Sequence, residues 1–270
     1  MKTWQKVVKY IAILLAIFLC VGVISGICTA ILSLSLISSG NRAADTDYTV
    51  YKIDNSIEIL EIEVSAGELI IKTDDEFRVE SNNNFLTVRE RGNRLIIKEQ
   101  TRWLSNNKDI VIELYIPEET VFEKAEIEAG SGRVRIDQLI ADDISIDFGS
   151  GDANIDYLVA DNRISIEHGA GKLSIDEANL NNFNMDMGAG NVDITAALTG
   201  KNKIEQAVGS LDLILIGKAD DYCIEIDKGV GIATISDEIA ENEKLYGNGD
   251  NELDIDGGIG NTVIEFTETE

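Results

Sequence analysis

Eight carboxylates recur at one place in a repeating pattern. Glu63, Glu128, Asp147, Glu167, Asp186, Glu205, Asp227 and Asp256 each stand four residues before a glycine: Gly67, Gly132, Gly151, Gly171, Gly190, Gly209, Gly231 and Gly260. In a parallel stack, members of such a column lie about 4.8 Å apart. At that spacing two full charges repel by roughly 1 kcal/mol even in a water-like dielectric. Three kinds of chemistry answer that cost. The carboxylates can accept hydrogen bonds from backbone N–H groups at the glycine turn, a structural role without a ligand. They can bind Ca²⁺ along Glu128, Asp147, Glu167, Asp186, Glu205 and Asp227, since hard cations take closely spaced oxygens. Or they keep a protein rich in strand edges soluble and unpaired. The strict glycine-aspartate nonapeptide of Ca²⁺-binding β-helices is absent. Asp137, Asp156 and Asp176, five residues after their glycines, form a second short ladder.

Other chemistry finds little support. His168 is the one histidine in the chain. It stands three before its glycine, where other repeats carry Val64, Ala129, Phe148, Met187, Gln206, Lys228 and Gly257. That tolerance predicts the edge of a core, with a polar tip reaching solvent. A metal or catalytic histidine needs a second ligand or a poised nucleophile, and the sequence offers no such set. Glycine-rich turns cradle phosphates where a helix or cationic help follows, and neither is present. No catalytic residue and no cofactor are therefore expected.

The elements that position these residues come from one repeat. Between Ile127 and Gly190 the chain reads Gly130-Ser131-Gly132, Gly149-Ser150-Gly151, Gly169-Ala170-Gly171 and Gly188-Ala189-Gly190. The second glycines are spaced by 19, 20 and 19 residues, and a fixed period in that range marks a solenoid whose layers stack on one another. Ile62, Ile127, Ile146, Ile166, Met185, Ile204, Ile226 and Ile255 stand five before the glycine. Ile71, Ile136, Ile155, Ile175, Ile194, Leu213, Ile235 and Ile264 stand four after it. With period-2 alternation both columns point inward and the carboxylates outward. The expected fold is all-β: a single-stranded parallel β-solenoid of about 19–20 residues per layer. Short strands and turn signals over residues 50–125 predict a β-meander and first layers that cap one end. The repeats then occupy residues 126–270, with a loop insert at 237–251.

Residues 10–40 contain no charged side chain. An apolar run of that length suffices for one transmembrane helix and is too long for the apolar region of a cleaved signal peptide. Residues 1–9 hold Lys2, Lys6 and Lys9, and residues 41–49 form a short tether. The positive-inside rule places the N-terminus in the cytoplasm and the rest outside. Only those three of the 23 basic residues precede Arg42, so residues 41–270 carry 20 basic against 49 acidic side chains, a net of −29. Such a surface repels nucleic acid and anionic lipid headgroups and disfavours phosphate binding. Basic proteins or cations are the expected partners, apart from the bilayer itself. Cys20 and Cys28 lie in the apolar run, which leaves Cys223 alone in the soluble part and excludes a disulfide framework there. Trp103 stands in a polar loop and is expected to pack on the cap.

The units Ile127-Glu128-Ala129-Gly130-Ser131-Gly132-Arg133-Val134-Arg135-Ile136 and Gly258-Ile259-Gly260-Asn261-Thr262-Val263-Ile264-Glu265-Phe266 resemble the repeats of a bacterial adhesin-like domain family of unknown function. The resemblance covers about residues 50–267. It implies a β-solenoid ectodomain, often membrane-anchored and sometimes associated with envelope-stress systems, with no catalytic residues to carry over. The expected function is a non-enzymatic, membrane-tethered binding or sensing module of the bacterial envelope. A self-assembling structural solenoid is one alternative, and a Ca²⁺-dependent polysaccharide-active enzyme is another.

Overall fold

A computed structural model describes residues 48–54, 56–100 and 110–268. The basic N-terminus, the apolar run 10–40, most of the tether and Trp103 lie outside the described residues. Among those described, no helix is long and apolar enough to cross a membrane.

The core of the molecule is a stack of layers, each made of two strand segments joined at a glycine. Strand β2 (Ile59–Asp74) turns a corner at Gly67, and β7 (Phe122–Asn181) runs through three corners at Gly132, Gly151 and Gly171 without a break. Then follow β8 (Phe183–Thr199) and β9 (Lys201–Ile216), with corners at Gly190 and Gly209. Pairing is parallel and in the register set by the repeat: Ile62 lies beside Ile127, Gly67 beside Gly132 and Ile71 beside Ile136. The same alignment carries Ile166, Gly171 and Ile175 onto Met185, Gly190 and Ile194, and these onto Ile204, Gly209 and Leu213. The column five before the glycine is buried throughout, as is the column four after it up to the half-buried Ile235. Each such buried side chain contributes roughly 1.5–3 kcal/mol of transfer free energy, so the aliphatic columns drive the stacking.

Two files of glycine run up the corners. A methyl group on Gly132, Gly151, Gly171, Gly190 or Gly209 would land on the carbonyl oxygen of the glycine in the neighbouring layer. The first-glycine file behaves alike: Gly149, Gly169 and Gly188 each lie over the glycine before them. Most corners also take φ between +118° and +158°, a region in which only glycine is free of strain. Gly130, Gly132, Gly149, Gly151, Gly169, Gly171, Gly188 and Gly190 are therefore placed by backbone-on-backbone contact.

The sheet is mixed, and this corrects the expectation of a strictly parallel solenoid. Antiparallel strands close both ends. At the first end, β5 (Arg94–Glu99) and β6 (Val111–Pro117) form a layer outside β2. Beyond them β4 (Leu86–Arg91) pairs antiparallel with β5, and β3 (Arg78–Ser81) with β6. The short β1 (Thr49–Lys52) lies outside β3. Arg78 ties this cap together, 2.9 Å from Asp74, 2.8 Å from Glu80 and 3.7 Å over the Tyr115 ring.

Chain order and spatial order part company at both ends. Strand β2 comes early in the chain yet lies between the β5/β6 layer and β7. At the other end, β14 (Asn251–Asp256) and β15 (Ile259–Thr267) are the last strands. They do not form the last layer. They lie between β9 and the layer of β10 (Tyr222–Asp227) and β11 (Val230–Ile235). The insert 237–251 is not a plain loop either. Its β12 (Glu238–Ile239) and β13 (Leu245–Gly247) pair antiparallel with β11 and β10 and close this end. One 3₁₀ turn, Ala219–Asp221, precedes β10.

Two tests follow from this arrangement. Truncation after residue 249 removes the ladder partners of both β9 and β10/β11, so it should abolish hydrogen-exchange protection across residues 222–247. An unchanged exchange pattern and melting temperature would show that the last segment is peripheral. Gly151→Ala should cost about 3 kcal/mol or more, because a strained φ adds to a backbone clash. Gly92→Ala, at a hairpin turn with φ +64° and open space around it, should cost only about 1–2 kcal/mol in chemical denaturation.

Candidate functional site

The eight carboxylates form one continuous outward column. Ladder registers place Glu63 beside Glu128, Glu167 beside Asp186, Asp186 beside Glu205, Glu205 beside Asp256 and Asp256 beside Asp227. Each follows a buried residue on its strand and so points the opposite way, toward solvent. Six are exposed, while Asp227 and Asp256 are half-buried. From Glu128 to Asp256 the spatial order alternates strictly between Glu and Asp. Successive charges are therefore staggered by one methylene, which eases a repulsion that falls with distance.

Compensation is confined to the two ends of the column. Lys98 lies 2.8 Å from Glu63. Lys203 pairs with Glu205 and is 3.7 Å from Asp256, while Asn242 donates to Asp227 at 3.2 Å. Among the described residues, the side chains of Glu128, Asp147, Glu167 and Asp186 make no hydrogen bond or ion pair. The anticipated backbone hydrogen bonds at the turn are thus not formed by these four. Nor do three or more acidic, histidine or cysteine side chains gather in a metal-holding group among the described residues. The middle of the column is a bare rail of negative charge.

Acidic neighbours elsewhere on the stack shift one another's titration. Burial raises the pKa of Asp156, and Asp176 and Asp137 beside it add to the effect. Asn154 opposes it by donating to Asp156 at 2.6 Å. Asp212 is raised by burial and by Asp193, its partner in register, although Lys172 lies 2.9 Å from Asp193. Asp254 is raised by burial and by Asp256.

His168 contradicts its expected place at the core edge. It is 2 % exposed and beside Met187 in register, and among the described residues neither ring nitrogen makes a hydrogen bond of regular geometry, although the Gly171 backbone lies close enough to act on it. Burial pushes its pKa below the usual histidine value, and the Gly171 backbone only partly opposes this. Gln206 in the same column shows the satisfied alternative: it donates to the Gly209 carbonyl at 2.7 Å and accepts from the Thr262 hydroxyl at 3.0 Å.

The residue types of the column did not reveal a feature on the same face. Arg89, Arg91, Arg94 and Lys98 project outward from the β4–β5 hairpin. Their period-2 spacing about Gly92-Asn93 was the available signal, and the overall negative charge obscured it.

Over residues 53–240 the sequence matches the family model described as Toastrack DUF4097. The chain belongs to that family. The Toastrack match ends before β13, so the interposed β14 and β15 lie beyond it. No curated protein matches the chain in sequence. Solved structures that resemble this Toastrack protein include a candidate cell adhesion protein from Clostridium sporogenes, 16 % identical with a TM-score of 0.38, over 82 % of this chain and 99 % of that one. A candidate adhesin from Bacteroides fragilis is 14 % identical with a TM-score of 0.42, over 83 % and 100 %. One from Parabacteroides distasonis is 13 % identical with a TM-score of 0.39, over 83 % and 98 %.

The buried histidine makes a signed prediction. Its folded pKa is depressed, so its neutral form stabilises the fold above the unfolded value near 6.5, and that stability is lost as pH falls through the folded value. The raised pKa values of Asp156, Asp212 and Asp254 act oppositely, adding stability as pH falls toward 3.8. His168→Met, which copies Met187 in the next layer, should remove the loss of melting temperature below about pH 6.5 and leave the acidic gain. Superimposable pH profiles for the two proteins would refute the buried neutral imidazole.

Proposed function

We propose that this Toastrack chain is a non-enzymatic binding module of the bacterial envelope, adhesin-like or stress-sensing, tethered by residues 10–40. Its working surface is the outward carboxylate column, and its partner is a cation or a basic protein surface. The observation that carries this reading is the uncompensated run Glu128, Asp147, Glu167 and Asp186. Four stacked carboxylates that make no ion pair among the described residues, with only Glu128 within reach of the Lys98 charge, hold electrostatic free energy that a cationic partner releases. A rigid stack suits that task, because its spacing is set by the backbone ladder and does not adapt to the ligand. The charge-free length of residues 10–40 supports the tether, and the three preceding lysines support an external domain.

The test titrates the full chain in neutral detergent with Ca²⁺ and, separately, with a lysine-rich peptide. A saturable rise in melting temperature is expected with one of them. The quadruple variant E128Q/D147N/E167Q/D186N should lose that response and be more stable than the wild type at low salt. Equal salt dependence in the two proteins, with no saturable response in either, refutes the reading. Protease added to intact cells should remove residues 48–268 if the domain is external.

A further inference from the structure

The β4–β5 hairpin carries a basic groove on a chain that is otherwise strongly acidic. Arg89 and Arg91 project from β4, Arg94 and Lys98 from β5, and together with Glu61 they line an open groove of about 430 Å³. Register places Arg91 directly opposite Arg94 at the closing pair of the hairpin, with Arg89 one step further along the same face. Like charges directly opposite each other on neighbouring strands destabilise the pairing. Two of the four cations are neutralised, since Arg94 pairs with Glu61 and Lys98 lies 2.8 Å from Glu63. Arg89 and Arg91 are exposed and make no hydrogen bond or ion pair among the described residues. In a chain with 49 acidic side chains, two neighbouring arginines are left without a carboxylate beside a third.

The geometry points to a binding site for a phosphate-class oxyanion, in which Arg89 and Arg91 hold the anion and Arg94 closes the third side. A guanidinium presents a planar fork that donates two parallel hydrogen bonds to adjacent oxygens. A tetrahedral dianion has enough oxygens to engage three such forks, whereas a single carboxylate satisfies one. Bound charge also offsets the Arg91–Arg94 repulsion that the Arg94–Glu61 pair leaves, which adds to the direct contact. The groove is larger than a bare phosphate needs and falls in the size range of small-ligand sites. It therefore suits a phosphate ester, whether free or carried on a phospholipid headgroup. The negative net charge that argued against phosphate binding is a property of the whole chain. Salt screens it over roughly 8–10 Å, and Glu61 and Glu63, which meet the groove's own cations, are already paired with Arg94 and Lys98. The site meets the carboxylate rail only through Lys98, which pairs with Glu63, and does not depend on the role proposed for the rail.

The experiment is a calorimetric titration of the full chain in neutral detergent with inorganic phosphate, then glycerol 3-phosphate, at ionic strength held constant with chloride. Saturable binding is expected for both. R89E/R91E should bind at least about tenfold more weakly, the scale of one lost charge-assisted fork. Arg133→Glu, outside the groove, should bind like the wild type, and R89Q/R91Q separates loss of donors from reversal of charge. Repeating the titration in nanodiscs of phosphatidylcholine, with and without phosphatidylglycerol, distinguishes the two sources. Suppressed phosphate binding in the anionic discs assigns the site to lipid headgroups, and undiminished binding assigns it to a soluble ester. The proposal is overturned by absence of saturable binding, by equal binding in R89E/R91E, or by equal saturation with acetate. It is also overturned if phosphate has no effect while the chain forms oligomers that R89E/R91E disperses, since the groove then receives the acidic surface of a second copy.

Discussion

The structure depends on how closely one backbone can lie over the next. At the corners the chain turns sharply enough that the carbonyl of one layer occupies the space where a side chain of the next would begin. Glycine is the only residue that leaves this space empty, so one glycine at every corner, joined by a second in most layers but replaced there by Ser65 in β2 and Ala207 in β9, sets the stacking distance. Once that distance is fixed, all other columns fall into line: aliphatic on aliphatic inside, carboxylate on carboxylate outside. The inner alignment stabilises the fold through burial of apolar area. The outer one is the cost of the same regularity, since a ladder that repeats a favourable contact repeats an unfavourable one equally. Alternation of Glu with Asp moderates this repulsion, and lysines at either end of the rail neutralise only its ends.

Much of this was legible in the residues. The aliphatic columns, the glycine corners and the outward carboxylates could be read because each recurs at a fixed offset, and a parallel ladder preserves that offset in space. The layer order at the far end could not be read in this way. Ile226 and Ile255, Asp227 and Asp256, and Gly231 and Gly260 are equivalent at the offsets that define a layer. Either layer satisfies β9 at those offsets, and what tells them apart is a single side chain: Thr262 donates to Gln206 of β9, whereas the equivalent residue in the other layer is Ala233. The lengthened interval signalled that something lay between the two layers without saying on which side.

Single residues were less legible than columns. His168 looked like an edge position because its column tolerates Lys228 and Gly257, but those two belong to the layers near the closed end. In mid-stack the same offset is enclosed between Phe148 and Met187 in neighbouring layers, and the imidazole is sealed in without a hydrogen bond of regular geometry. The basic hairpin was hidden for a different reason. Its strands and turn were visible, yet a net charge summed over the chain carries no information about which charges share a face.

Both terminal segments of the stack are clasped, each held between two neighbours. A new repeat therefore cannot be appended at the beginning or the end of this chain without displacing a cap. It can be gained or lost only in the uninterrupted interior, roughly residues 130–210, where each layer is interchangeable with the next. The length of the rail can thus be altered by duplicating or deleting whole interior units, while the two caps, with the basic hairpin on one of them, stay unchanged. The number of layers between the two caps is the one dimension of this fold that whole-unit duplication can change.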